Sequence, residues 1–575
     1  MRTNRLTALL LVGLMACYSL TSSGQEEGSI IEHEGNKYTI HVEQLNPDSE
    51  MTLLDILHIC PELMSSDGKT LTANYLLSVD DIMLSVDFTP LLEGIKACDL
   101  KEVIVCTYGA VNNAMDGTQG SIDLQFKEGE GLTGKIGLNG STYGNGRLYA
   151  DMASRGKNVT VRSFVQTNLQ YGKVDAKSGN TITSRNGVEN AMLFIDWQAT
   201  ENDLLKLKLS QGYGEHNDRT HGHDMDVELF KRLRWGELVA TYERTLNEQE
   251  AGLYIETGMN YENDYVEDTG IKTAIPWWIV EFGIPFLNHA LQLTAGYEGD
   301  YTNQWFQGIR REQNLFNDLY VQLDYKKGPW VISLGDRLRH NSFWEKRYDM
   351  GDGSLWSYNR IDHAYHASVG YRQGRHFLQG IFSRTFFNPV ASDFLEYAEE
   401  GLIRYNTNYK TNLAWRSEAR YTYQTECLVA TGSLTHTRLT DRLTPNESLT
   451  GLGTSVTWHQ GTLRLTAGAN VYHSHVSYDD PIDNTFFTLK LAPTLLLGNG
   501  FRLSSVLLYN SKRGDYEQDG HLYASIKMNK DLGKHCNVYA DFHDIAGQPK
   551  GEMYNLMQSF NNRALTIGVT FYPFR

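Results

Sequence analysis

The sequence predicts an all-β transmembrane barrel of about 22 antiparallel strands with a small N-terminal α+β plug domain inside the lumen. Three observations predict it. From about residue 129 onward, segments of roughly ten residues alternate polar and apolar side chains and come in pairs. The connections between these segments alternate between tight turns and long polar loops. The chain also opens with an export signal, yet no later stretch is apolar and long enough to span a bilayer as a helix.

The signal comes first. Arg2 and Arg5 form a basic start, Leu6 to Ala16 an apolar run too short to span, and Ser22 and Gly24 suit cleavage before Gln25. Leu14-Met15-Ala16-Cys17 also reads as a lipobox that would make Cys17 lipidated, but the later site is the better conventional one. The organisation is then 1–24 signal peptide, 25–47 N-terminal arm, 48–128 plug domain and 129–575 barrel. The most apolar later stretch, Ala274 to Phe286, is interrupted by Pro276, Glu281 and Pro285.

Removing residues 1–24 deletes two arginines and no acid, so the net charge moves from −17 to −19, which argues against a nucleic-acid partner. The chain has 33 tyrosines and 52 glycines against 12 prolines, a balance that suits strands carrying aromatic girdles at two membrane interfaces. Cys60, Cys98 and Cys106 cluster near the N-terminus, while Cys427 and Cys536 stand alone. No CxxC occurs, so a structured zinc site is not expected; a Cys98–Cys106 bridge and buried free thiols are both open.

Residues 48–128 read as a compact α+β unit. Asp48 or Ser49 caps a helix bearing Leu53, Leu54, Ile56, Leu57 and Cys60, ended by Pro61. Thr89-Pro90 starts a second helix with Leu91, Leu92 and Ile95 on one side. Val103-Ile104-Val105 is a short buried strand, and Ile122, Leu124 and Phe126 alternate with polar residues in another.

The barrel segments follow. Val159, Val161 and Val165 oppose Thr160, Arg162 and Gln166; Leu205, Leu207 and Leu209 oppose Lys206 and Lys208; Leu463 to Val471 and Leu522 to Met528 repeat the pattern. Tight connections are read at Trp235-Gly236-Glu237, Lys326-Lys327-Gly328, Gln373-Gly374-Arg375, His459-Gln460-Gly461 and Gly498-Asn499-Gly500. Long ones fall near 170–189, 214–223, 344–359, 388–406, 440–448 and 546–562. A soluble sandwich has no reason to segregate loop lengths in this way. The stretch 237–303 breaks the parity, with one strand too many. In the last segment, Leu565, Ile567, Val569 and Phe571 share one face and Thr566, Gly568, Thr570 and Tyr572 the other, the form of a strand that closes a barrel and is read by the barrel-assembly machinery.

On these residues the chain resembles the TonB-dependent receptors, most closely the short-plug outer-membrane barrels common in Bacteroidota. The family's opening extended segment corresponds to Tyr38 to Val42 and its helix ending "LxxxPGV" to Leu54 to Leu63, with Glu62 in place of the glycine, followed by an Asp67-Gly68 turn. Val79 to Asp87 matches the "V-x-I-x-I-D-G" strand without its last glycine; Ala97 to Val105 matches "I-x-x-I-E-V"; Tyr108-Gly109 and Gly117 to Leu124 match the closing "Y-G … G-x-x-G-x-I-N-I". The resemblance implies a Gram-negative outer-membrane location and uptake of a scarce or bulky ligand (siderophore, haem, cobalamin or glycan). It implies energy from a TonB–ExbB–ExbD complex pulling on residues 25–47, and leaves room for a surface lipoprotein partner. Tyr38, Thr39, Ile40, His41 and Val42 are the candidate coupling segment, or else the first plug strand. A non-transporting surface-binding or structural barrel with a vestigial plug is the alternative.

Two clusters are candidates for ligand chemistry. His216, His221 and His223, with Asp224, offer transition-metal donors in a polar segment, although the spacing is not that of a structured zinc site. Trp305, Phe306, Trp344, Trp356 and Tyr358 lie near long outer loops, where they would either stack on a ligand or form the outer aromatic girdle. His363 and His366 read as rim residues, as do His473 and His475. No nucleophile elbow, HExxH helix or phosphate loop occurs in a suitable context, so no enzymatic activity and no cofactor are expected.

Overall fold

In the computed structural model the barrel is complete and the plug sits within it. The structure describes residues 31–34, 37–45, 51, 53–57, 75–79, 82–84, 95, 97–107 and 120–127. From 131 to 574 it describes all but 143, 176–180, 222–225, 248–250, 267–268, 349–354, 387–394, 398–402, 406–412, 426, 441–446, 478–481, 513–519, 544 and 546–563. The expected Asp67-Gly68 turn, most of the second helix, Tyr108-Gly109 and the start of the closing motif at Gly117 lie outside the described residues.

The plug is a six-stranded sheet. Its strands are β1 (Ile31–Glu34), β2 (Lys37–His41), β3 (Tyr75–Val79), β4 (Ile82–Leu84), β5 (Leu100–Thr107) and β6 (Gly120–Phe126), in the order β1-β2-β5-β6-β3-β4. β3 runs parallel to β6 and the other pairs are antiparallel. The alternation read in β6 is real: Ile122 and Leu124 are buried while Ser121, Asp123 and Gln125 are half-buried. A short helix, α1 (Leu53–Leu57), buries Leu53, Ile56 and Leu57 against the sheet. The sheet begins upstream of residue 48: β2 lies between β1 and β5 and buries Tyr38 and Ile40.

Twenty-two antiparallel strands, from β7 (Gly131–Ser141) to β30 (Ala564–Phe574), form one closed barrel; Leu395–Tyr397 and Ile403–Tyr405 (β20 and β21) pair separately as a hairpin. β30 closes it by pairing with β7 from Thr566 opposite Ser141 to Phe571 opposite Ile136. Its two faces behave as read, with Leu565, Ile567, Val569 and Phe571 exposed outward and Thr570 and Tyr572 buried inward. The same outward stripe of exposed large apolar residues runs around the wall, including Leu319, Leu338 and Ile361. Among the described residues no helix is long and apolar enough to cross a membrane.

The tight turns at 326–328, 373–375, 459–461 and 498–500 occur as read, and Gly328 (φ 60°) and Gly461 (φ 58°) supply the left-handed conformation they need. Trp235-Gly236-Glu237 is not a turn. It lies in the middle of β12 (Asp226–Thr245), where Trp235 pairs with Gly212 of β11 (Asp203–His221) and lays its ring across it. Removing that turn restores the parity, because β13 (Gly252–Val266), β14 (Thr269–Phe286) and β15 (Leu291–Phe306) then follow in proper alternation. The segment 214–221 likewise belongs to β11: its ladder to β12 continues to His221. Strands of 15 to 20 residues exceed the roughly ten needed to cross a bilayer, so the sheet extends well beyond it.

Several glycines accept an aromatic ring from the neighbouring strand in the same way, among them Gly258 under Trp277 and Gly296 under Tyr320. Replacing Gly258 by valine should displace Trp277 and lower barrel stability by about 1–3 kcal/mol. Gly380→Ala, where a β-carbon meets open space, should leave it unchanged. Thermal unfolding of the purified protein, read by loss of heat-modifiable gel mobility, checks both.

Candidate functional site: the plugged lumen

The lumen is lined by alternate residues of the wall, and the plug is attached to it by contacts of three kinds. Apolar packing is the first: Phe164, Met192, Phe194, Val239, Trp277 and Val429 of the barrel join the same buried cluster as the plug core. Ionic contact is the second. Lys135 of β7 pairs with Asp99 of the plug and, at 3.3 Å, with Asp151 of the wall; Lys326 reaches Glu32 of β1 at 3.6 Å. The third uses arginines as long arms. Arg162 binds Asp151 at 2.7 Å and lies over the Phe126 ring, 3.3 Å from its centroid; Arg464 donates to the Leu45 carbonyl; Arg420 faces the Tyr38 ring.

A ladder of buried charge crosses the wall behind the plug. Lys208 of β11, with no exposed side-chain surface, pairs with Glu237 of β12 at 2.5 Å. On β13, Glu256 accepts hydrogen bonds from Tyr254 (2.7 Å) and Trp277 (3.1 Å). On β14, Glu281 accepts one from Tyr320 (2.8 Å). On β15, Glu298 pairs with Arg337 at 2.7 Å. Asp318 of β16 (Arg310–Lys327) serves both Arg337 and Arg339 of β17 (Trp330–Arg347), the latter at 2.6 Å. Arg339 also packs against the Phe316 and Phe386 rings. Glu237, Glu298 and Asp318 meet cations, while Glu256 and Glu281 are held by neutral Tyr and Trp donors, so the ladder ties successive strands together and fixes the wall's shape.

The expected ligand residues separate. Trp305 and Trp344 share the outward faces of their strands with Tyr297 and Leu338, so they belong to the outer girdle. Phe306 takes the inward alternation, with Arg310 4.1 Å from its ring centroid. Trp356 and Tyr358 fall in β18 (Leu355–Gln373), their side chains outside the described residues. His216 sits within β11, His221 ends it, and His223 lies outside the described residues; among the described residues no three metal-binding groups converge. What fills that segment is cross-strand pairing: Asn217 and Arg219 bind Glu228 of β12 and hold its carboxyl below the ordinary range. His363 and His366 are mid-strand and on opposite faces. His363 pairs with Asp336 on the outside, and His366 is buried against Ser333 at 2.9 Å.

Tyr38, Thr39, Ile40 and His41 are strand β2, and Val42 opens the 3-10 turn that follows; this segment is a central part of the plug sheet, not a free arm. Cys98 and Cys106 are both free thiols. Cys98 lies in the 3-10 turn before β5 and Cys106 near the far end of that strand, so the extended strand holds them apart. The plug anchors that sequence reading missed are lumen residues of the wall. Their only signal is a charged residue on the polar face of a strand, which many positions share.

Replacing Asp318 by asparagine leaves two buried guanidiniums short of a counter-charge. It should destabilise the barrel by about 3–5 kcal/mol, read as a fall in the thermal unfolding midpoint; Asp483→Asn, at an exposed strand end beyond the apolar band, should change it little.

No family model matches the sequence, and no curated protein matches it. Solved structures do match the fold. The chain is similar to the siderophore receptor PirA from Pseudomonas aeruginosa (TM-score 0.65, 12% identity, 94% of this chain and 100% of that one). It is similar to the copper transporter OprC (TM-score 0.72, 11% identity, 94% and 98%). It is also similar to the ferric-catecholate import receptor Fiu from E. coli K12 (TM-score 0.68, 10% identity, 96% and 99%). With its closed 22-strand wall and internal plug, the chain has the fold of TonB-dependent outer-membrane receptors.

Proposed function

We propose that the protein is an outer-membrane importer that binds a scarce or bulky ligand at the cell surface and passes it inward when force displaces the plug. The observation that carries this reading is the anchored plug. A passive pore of 22 strands gains nothing from a sheet tied across its lumen by Lys135–Asp99, Arg162–Phe126 and Arg464–Leu45. Coupling to a TonB–ExbB–ExbD complex fits the fold. Because Tyr38–His41 are held in the plug sheet, the pull belongs upstream of β1, in the chain that precedes Ile31. Neighbours of the same fold carry siderophores, ferric catecholate and copper, so iron chelates and copper are the first ligand classes to try, with haem, cobalamin and glycans next. Export by the N-terminal signal, insertion by the barrel-assembly machinery through β30, and a surface lipoprotein partner complete the reading.

The test is a tether. Asp99→Cys with Lys135→Cys, in a Cys98→Ser background, is cross-linked in cells by a short reducible bis-thiol reagent. Growth is then scored in iron-, copper-, haem-, cobalamin- and glycan-limited media. The expected result is loss of growth in one medium, restored by reductant, with the barrel still inserted. Growth that depends on the protein but is indifferent to the tether would refute plug displacement. Growth that never depends on the protein would favour the non-transporting barrel.

A further inference from the structure

The outer surface carries a feature that transport does not use. On seven adjacent strands, directly paired positions form one unbroken outward row: Tyr213 opposite Arg234, Arg234 opposite Asn263, Asn263 opposite Lys272, Lys272 opposite Trp305, Trp305 opposite Arg311 and Arg311 opposite Lys346. The four cations are exposed. Each lies an even number of residues from an exposed apolar side chain of its own strand: Leu238, Phe282, Leu319 and Leu338 respectively. They therefore point away from the lumen, on the face that carries the lipid-facing stripe.

None of the four forms an ion pair with a described residue. Arg234 lies 5.5 Å from the Tyr213 ring centroid and Lys272 5.5 Å from that of Trp305, while Arg311 donates to Asn303 at 2.9 Å. The row contains no carboxylate. Glu215, outward on β11, is bound by Arg232 at 3.2 Å and accepts the hydroxyl of Tyr213, and Glu312 and Glu345 are buried on the lumen side. A chain of net charge −17 thus gathers, along one line of its outer wall, four cations with no ion-pair partner among the described residues.

Position narrows the partner. Arg234 is about eleven residues from the short-turn rim and Lys346 about sixteen. At roughly 2.5 Å of height per tilted residue, the row starts near the top of an apolar band about 25 Å tall and climbs some 13 Å above it. A phospholipid presents its phosphate at one depth. A glycolipid with anionic groups on its sugars presents them over that whole climb, and Tyr213 and Trp305 offer faces on which sugar rings stack. We propose that the row from Arg234 to Lys346 is a binding surface for the phosphorylated, anionic glycolipid of the outer leaflet.

The proposal rests on the outer-membrane reading, and its test separates the two. Full-length wild-type protein and the variant Arg234→Gln/Lys272→Gln/Arg311→Gln/Lys346→Gln are recovered from membranes and scored for barrel insertion. Each is then titrated in nanodiscs with purified lipooligosaccharide, with the same lipid after phosphatase treatment, with phosphatidylglycerol and with inorganic phosphate. Wild type should bind intact lipooligosaccharide best. The quadruple variant should insert normally yet bind it on the order of a hundredfold more weakly. The swap Arg234→Lys/Lys272→Arg/Arg311→Lys/Lys346→Arg should retain binding, as should Lys157→Gln/Lys327→Gln on the opposite rim. Equal binding of the phosphatase-treated lipid, of phosphatidylglycerol or of free phosphate would overturn the proposal. So would unchanged binding by the quadruple variant, or release of a co-purifying protein subunit in place of lipid. Failure of the wild-type chain itself to insert would instead overturn the membrane reading.

Discussion

Everything in this molecule follows from the demand that no backbone hydrogen-bonding group be left open to hydrocarbon. A sheet meets that demand only by closing on itself, and here closure falls to the pairing of β30 with β7. Closure at 22 strands makes a lumen too wide for side chains to fill. The wall therefore needs an internal domain, and the six-stranded plug supplies it. The lipid sets the outer face of each strand and the plug sets much of the inner one, which is why neighbouring residues such as Leu338 and Arg339 have opposite chemistry.

The inner face solves a second problem. Charge buried between a wall and a plug is costly unless matched. The wall meets the cost by distributing carboxylates and cations over successive strands, from Lys208 and Glu237 to Arg337, Arg339 and Asp318. Among the described residues the plug is attached through a shared apolar cluster and through Glu32, Tyr38, Leu45, Asp99 and Phe126.

Much of this was legible in the sequence, because period-2 alternation and turn chemistry are local signals. The faces of β30, the turn glycines Gly328 and Gly461 and the strands β5 and β6 were all readable for that reason. The failures share a cause: the deciding partner lies on another strand. Trp235-Gly236-Glu237 resembles a turn until Gly212 is seen to receive the Trp235 ring. The polar run 214–221 resembles a loop until its ladder to β12 is counted. Where the sequence left two readings open the partner strand decides: parity puts Trp305 and Trp344 in the outer girdle, and pairing with β5 makes Tyr38–His41 a plug strand. Register across strands is what one sequence does not print, and the cationic row on the outer wall exists only in that register.

The measurement that bears most directly on the account is the conductance of the purified chain in a planar bilayer, beside a chain lacking residues 31–127. The account predicts that the intact protein is electrically closed and that the deletion opens a large, steady pore. An intact protein that conducts like an open 22-strand pore, or a deletion that stays closed, would contradict it.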